Sequence, residues 1–202
     1  MRILAALVML LTLVAPAAAS SNRAFMDAMF GPPPGMELTR GAPAHQLQYQ
    51  TQYVRNPAYL RQVVNYSTSE APGTLIVDTR RYFLYLVLPG GKAMRYGIGV
   101  ARTGFEWRGT ERVSSKREWP SWTPPAEMHA RQPGLPRFMP GGPDNPMGAR
   151  ALYLGSTLYR IHGTNEPWSI GQSVSSGCIR MTNEDVIDLY RRVQIGSKVV
   201  VI

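Results

Sequence analysis

The chain has 202 residues, of which 44% are hydrophobic and only 17% charged, against about 25% charged in ordinary soluble domains. Its 19 glycines and 17 prolines exclude a coiled coil or plain helical bundle, because a chain so rich in turn formers must reverse direction often. The single cysteine, Cys178, excludes an intramolecular disulfide framework and any cluster of thiolate metal ligands, while the formal net charge of +9 points to anionic partners.

In chain order, Met1-Arg2 precedes an apolar run over residues 3–14 and then Pro16-Ala17-Ala18-Ala19-Ser20. A positive end, a short apolar stretch and an Ala-x-Ala site have the shape of a secretory signal peptide over residues 1–19, and the run is shorter than the ~20 residues of a membrane span. The expectation is an exported protein of the periplasm or cell envelope, with no transmembrane segment after signal removal. Loss of Arg2 leaves a net charge of +8. Nucleic acid is excluded as a partner by that compartment and by basic residues that are scattered along the chain without a nucleic-acid-binding motif. Residues 20–66 are rich in Pro, Gly, Gln and Tyr and read as an arm unable to bury much apolar surface. Within it Asn56-Pro57 can cap a short helical turn reaching Leu60.

From Thr74 the pattern turns to strands, over 74–78, 82–88 and 93–100, joined by hairpin-length turns. Residues 103–148, with Trp107, Trp119, Trp122 and many prolines, read as a long loop region forming one wall of a binding groove. Strands over 149–154 and 158–162 follow. Thr182-Asn183-Glu184-Asp185 then offers an N-cap, and Val186, Leu189, Tyr190 and Val193 repeat with helical spacing, predicting one main helix near 183–193. A short strand over 198–202 ends the chain. The fold class is mainly β, a β-sandwich or mixed sheet with one main helix, in a catalytic domain over residues 67–202.

The chemistry resides in Ile161-His162-Gly163-Thr164-Asn165 and Ser175-Ser176-Gly177-Cys178-Ile179-Arg180-Met181. A cysteine attacks as the thiolate, and a nearby imidazole takes its proton. The two residues stand sixteen apart, at the end of one predicted strand and in a glycine-containing turn, so contact is easy, and successive amides of that turn can face one point as an oxyanion hole requires. A lone Cys and a lone His are also ordinary core residues, and that reading stays open on chemistry alone. Trp107, Trp119, Trp122 and Trp168 are read as loop packing rather than sugar platforms, and His45 and His129 as solvated.

The block His162-Gly163-Thr164 with Ser175-x-Gly177-Cys178-Ile179-Arg180-Met181-x-Asn183-x-Asp185 resembles the signature of the L,D-transpeptidase (YkuD) catalytic domain, and Asn145-Pro146-Met147-Gly148 resembles that family's approach to its histidine. The resemblance spans about residues 70–202. It implies a cell-wall enzyme that uses Cys178 as nucleophile on a peptidoglycan tetrapeptide stem and releases the terminal D-Ala, with His162 as general base and later acid. It further implies that the Gly163 carbonyl orients the imidazole and that the amides of Gly177 and Cys178 hold the oxyanion. With one Cys and three scattered His, a metal site has no ligand cluster to stand on, and no cofactor is expected. Arg180 supports the site, meets a substrate carboxylate or forms a structural ion pair under the turn, and Ser175 and Ser176 are assigned to substrate contact. Ser176 stands where many members carry histidine, so it is given no proton-transfer role. An amine acceptor would yield a 3–3 cross-link; water would make an L,D-carboxypeptidase, and a lysine of an envelope protein a protein-anchoring enzyme. From another class, a non-catalytic peptidoglycan-binding module is the alternative. In NlpC/P60 hydrolases Cys precedes His, and sortases separate the two residues more widely.

Overall fold

A computed structural model describes residues 55–202; the expected signal peptide, most of the arm and His45 lie outside the described residues. The described residues form eleven strands: β1 Gln62–Asn65, β2 Leu75–Asp78, β3 Phe83–Leu88, β4 Lys92–Gly97, β5 Val100–Ala101, β6 Gly109–Glu118, β7 Arg150–Leu154, β8 Arg160–His162, β9 Ser173–Ser175, β10 Ile179–Arg180 and β11 Lys198–Val201. Two α-helices, α1 Ala126–Arg131 and α2 Asn183–Arg192, complete the regular structure of the described residues with short 3-10 turns at Pro57–Tyr59 and Pro167–Ser169.

Nine strands form one mixed sheet in the order β1-β4-β3-β2-β11-β6-β7-β8-β10, and β5 pairs separately with β9. The meander β2-β3-β4 is antiparallel, as its tight turns require. The third predicted strand is divided: β4 ends at Gly97, and residues 100–101 leave it as β5 to pair with β9 beside the turn that holds Cys178.

The central correction concerns residues 103–148. They contain β6, a ten-residue strand whose first half pairs with β11 and whose second half pairs with β7, with a register shift between Val113 and Ser115 where it passes from one half of the sheet to the other. Its sequence, Gly-Thr-Glu-Arg-Val-Ser-Ser-Lys-Arg-Glu, buries only Val113, so hydrophobic alternation cannot reveal it; ladder hydrogen bonds on both edges hold it. The remainder, around α1 and the Trp122–Met139 bridge, is the irregular wall expected from the prolines.

One core lies between the two halves of the sheet and α2. It joins Leu75 and Leu84 of one half to Leu152, Leu154 and Ile161 of the other and to Val186 and Leu189 of the helix, all fully enclosed. Helix α2 starts as predicted: the Thr182 hydroxyl accepts the Asp185 amide at 3.3 Å, and Glu184 and Asp185 sit at the positive end of the helix dipole. A second cluster, Ile76, Tyr85, Val87 and Ala93, lies under Val64 and Tyr66 on the opposite face.

Residues 55–66 close onto this body. Asn56 caps the 3-10 turn by accepting the Ala58 amide, and β1 adds to the free edge of β4. Tyr59 lies against Gly97 and Gly171, where a Cβ on either glycine would collide with it. Arg55 donates to Asp185 at 2.6 Å and to Thr182, and Arg61 reaches Asp188 at 3.2 Å. Among the described residues no helix is long and apolar enough to cross a membrane.

Candidate active site

The site is built on two short parallel strands. In the β8–β10 ladder Ile161 pairs with Ile179 and His162 with Arg180, so one step back places Cys178 opposite Arg160. Side chains alternate along a strand, so the even-numbered residues Arg160, His162, Cys178 and Arg180 share one face while Ile161 and Ile179 enter the core. All four polar residues line one cavity of about 440 Å³, walled further by Met147, Leu158, Tyr159 and residues of α1. Cys178 and His162 are thereby diagonal neighbours across the ladder.

The turn that presents Cys178 is fixed from inside and behind. The Ser175 hydroxyl donates to the Cys178 carbonyl at 2.5 Å and accepts the Gly177 amide at 3.2 Å. Gly177 adopts φ +112°, and a Cβ there would stand 2.5 Å from the Tyr159 ring. That ring stacks on Trp107 with centroids 4.3 Å apart, and the Trp107 indole donates to the Gly177 carbonyl at 2.8 Å. Trp107 thus packs behind the turn, and its indole N–H has the partner that a buried tryptophan needs.

His162 is buried, and its Nδ1 lies 2.5 Å from the Gly163 carbonyl. A carbonyl only accepts, so this bond assigns the proton to Nδ1 and leaves Nε2 as the basic nitrogen. Gly163 must be small: a Cβ would meet Asn183 Oδ1 and, at 3.0 Å, the Ala149 amide, the pair whose own hydrogen bond joins α2 to the start of β7. Burial pushes His162 down to about 3, reinforced by the charges of Arg180 and Arg160 and opposed by the carbonyls of Gly163 and Met147. Burial also pushes the Cys178 thiol up, opposed by Arg160 and then Arg180. The resting pair is therefore a neutral thiol and a neutral imidazole, with the half-buried sulfur donating toward the Leu158 carbonyl at 3.7 Å.

Arg180 meets a carboxylate of the protein itself. Its Nη1 lies 2.7 Å from Glu166 Oε2, both side chains almost wholly enclosed. Glu166 is in turn held by Thr164 and Ser169 around the Pro167–Ser169 turn. The pair lines a second cavity of about 400 Å³, bounded by Trp122, Trp168, Met128 and Leu135 and adjoining the first across Ser176 and Arg180.

The sequence-predicted residues therefore fall in distinct places. Cys178, His162, Ser176 and Arg180 meet at the cavity, and Gly163 lies behind the imidazole. The hydroxyl of Ser175 is committed to the turn, which leaves Ser176 as the serine exposed to both cavities. The Gly177 amide points to Ser175, so of the two expected oxyanion donors the Cys178 amide is the one not engaged by that hydroxyl. Two residues escaped the sequence reading. Glu166 gives no local signal, being brought to Arg180 from fourteen residues away by a turn; Arg160 was legible in principle, since a residue two before His162 on a strand must share its face. Among the described residues no group of three or more His, Cys, Asp or Glu side chains is placed to hold a metal.

The chain is similar to known proteins in sequence and in fold. A probable L,D-transpeptidase, YbiS of Escherichia coli, is 47% identical over 110 residues, covering 50% of this chain and 35% of its own length. The probable L,D-transpeptidase ErfK/SrfK of the same species is 40% identical over 137 residues, covering 63% and 43%. The chain thus spans less than half of either relative. A crystal structure from Brucella melitensis named as a probable carnitine operon oxidoreductase is 45% identical over 78% of this chain and 100% of its own, with a TM-score of 0.50. The catalytic domain of the Enterococcus faecium L,D-transpeptidase shares the fold at 18% identity, covering 67% of this chain and 100% of its own, with a TM-score of 0.51. The family model of the YkuD L,D-transpeptidase catalytic domain matches residues 72–201, and the chain belongs to that family.

Proposed function

We propose that this protein is an exported cysteine L,D-transpeptidase acting on peptidoglycan tetrapeptide stems. The observation that carries the reading is the meeting of Cys178 and His162 in one cavity, with the imidazole tautomer set by Gly163 so that Nε2 is the base. As Cys178 Sγ attacks the carbonyl of the third stem residue, its proton passes to His162 Nε2 and the carbonyl oxygen becomes an oxyanion facing the Cys178 amide. Collapse breaks the amide bond to the terminal D-Ala, whose nitrogen leaves with the proton from His162, and a thioester on Cys178 remains. An amine of a second stem then attacks the thioester, transfers a proton to His162 and restores the thiol, giving a 3–3 cross-link. Export rests on the signal-like residues 1–19, and the net charge of +8 after their removal favours an anionic wall polymer.

The product profile of wild type and Cys178→Ser on defined tetrapeptide muropeptides tests this. Dimers with loss of D-Ala are expected from wild type and none from Cys178→Ser, because a hydroxyl beside a neutral imidazole is a far weaker nucleophile than a thiolate. Tripeptides alone would identify a carboxypeptidase, and adducts to an added envelope protein an anchoring enzyme. Binding without any product would identify a non-catalytic wall module.

A further inference from the structure

Of the four polar residues on the β8–β10 face, Arg160 has no role in the mechanism above. It stands opposite Cys178 in the ladder, in the same cavity. Its guanidinium lies over the Tyr153 ring at 5.0 Å, a platform that fixes a planar cation without neutralising it. Its Nε is buried with no hydrogen-bond acceptor among the described residues. Arg180, the other cation of the quartet, differs in facing the Glu166 carboxylate. Among the described residues Arg160 is in no ion pair; a cation so placed in a half-closed cavity is stabilised by an anion that arises beside it, and the atom opposite is a sulfur that must become anionic to react.

We propose that Arg160 is a catalytic residue of this site, its guanidinium serving as the counter-cation to the Cys178 sulfur as that atom gives up its proton and attacks. Burial works against the thiolate, and Arg160, through its charge and hydrogen bonding, leads the influences that favour it. The same charge disfavours protonated His162, so Arg160 favours the thiolate while opposing the imidazolium, and its expected effect is read on the sulfur. The other charged or titratable groups facing Cys178 are His162 of β8, Arg180 of β10, Glu127 and Arg131 of α1, and Tyr159.

This rests on Cys178 being the nucleophile, yet its test needs no substrate. The pH dependence of Cys178 alkylation is measured on the full chain with neutral iodoacetamide and anionic iodoacetate, for wild type, Arg160→Met and Arg160→Lys. In Arg160→Met the alkylation midpoint is expected to rise by about one pH unit and the rate at pH 7 to fall about tenfold, with iodoacetate losing more than iodoacetamide. Arg160→Lys keeps both within about twofold of wild type, since it keeps the charge. An unchanged midpoint in Arg160→Met at wild-type melting temperature overturns the proposal, as does Arg160→Lys being as slow as Arg160→Met. Should Arg160→Met fail to fold, Arg160→Gln is read in the same way. Failure of muropeptide turnover with an intact alkylation effect would count against the transpeptidase reading alone.

Discussion

His162 shows how one residue's surroundings set both stability and chemistry. Its folded value of about 3 lies below its ordinary 6.5, so between those limits the unfolded chain binds a proton that the folded chain does not. Stability is therefore full above about pH 6.5 and is lost as the pH falls toward 3, by about 1.4 kcal/mol per unit from this group. Urea unfolding of wild type and His162→Gln across pH 4–7 checks it: the wild-type stability should fall more steeply on acidification, and parallel profiles would refute the burial argument. Gly177 makes the complementary point for the backbone. Gly177→Ala places a methyl against Tyr159 at a φ of +112°, so the turn must shift, and Cys178 acylation should slow about tenfold or more while the melting temperature changes by only a few degrees. A wild-type acylation rate in Gly177→Ala would show that the turn is not held as described.

At the scale of elements, the short strands matter most. Strands β8 and β10 have three and two residues, and no periodicity argument could have paired them; what was legible was their content, a histidine and a cysteine with the right neighbours. Helix α2 was legible in full, because its cap and its apolar stripe are both local. Strands β1 and β6 were not: the first is a mostly exposed edge and the second a polar strand held from both sides, so long-range pairing overrides composition in each. The segment before the matched family domain is also structural in a way its composition conceals. Arg55 partners the enclosed carboxylate of Asp185, one turn into α2 and seven residues beyond Cys178. Arg55→Ala should cost about 1–3 kcal/mol in urea unfolding by leaving that carboxylate poorly paired, and adding Asp185→Asn should recover part of the loss. Additive losses in the double variant would mean that the pair is not coupled.

For the whole molecule, the sheet serves mainly to bring two distant segments, 160–163 and 175–181, edge to edge. The order β7-β8-β10 places the histidine strand between the body and the cysteine strand, and α2 returns the chain to the core directly after the motif. Fold class, the main helix, and the Cys178 and His162 motifs could be read from the sequence because each is written in contiguous residues. The Glu166–Arg180 pair and the Trp107–Tyr159 stack could not, because they join residues 14 and 52 positions apart, nor could the two adjoining cavities, whose walls come from across the chain. The central claim is that Cys178 becomes acylated, and intact-protein mass spectrometry after incubation with a tetrapeptide muropeptide tests it most directly. The account predicts a tripeptide-bearing adduct on Cys178 with release of D-Ala, absent in Cys178→Ala; an unmodified wild-type protein with no D-Ala released would contradict it.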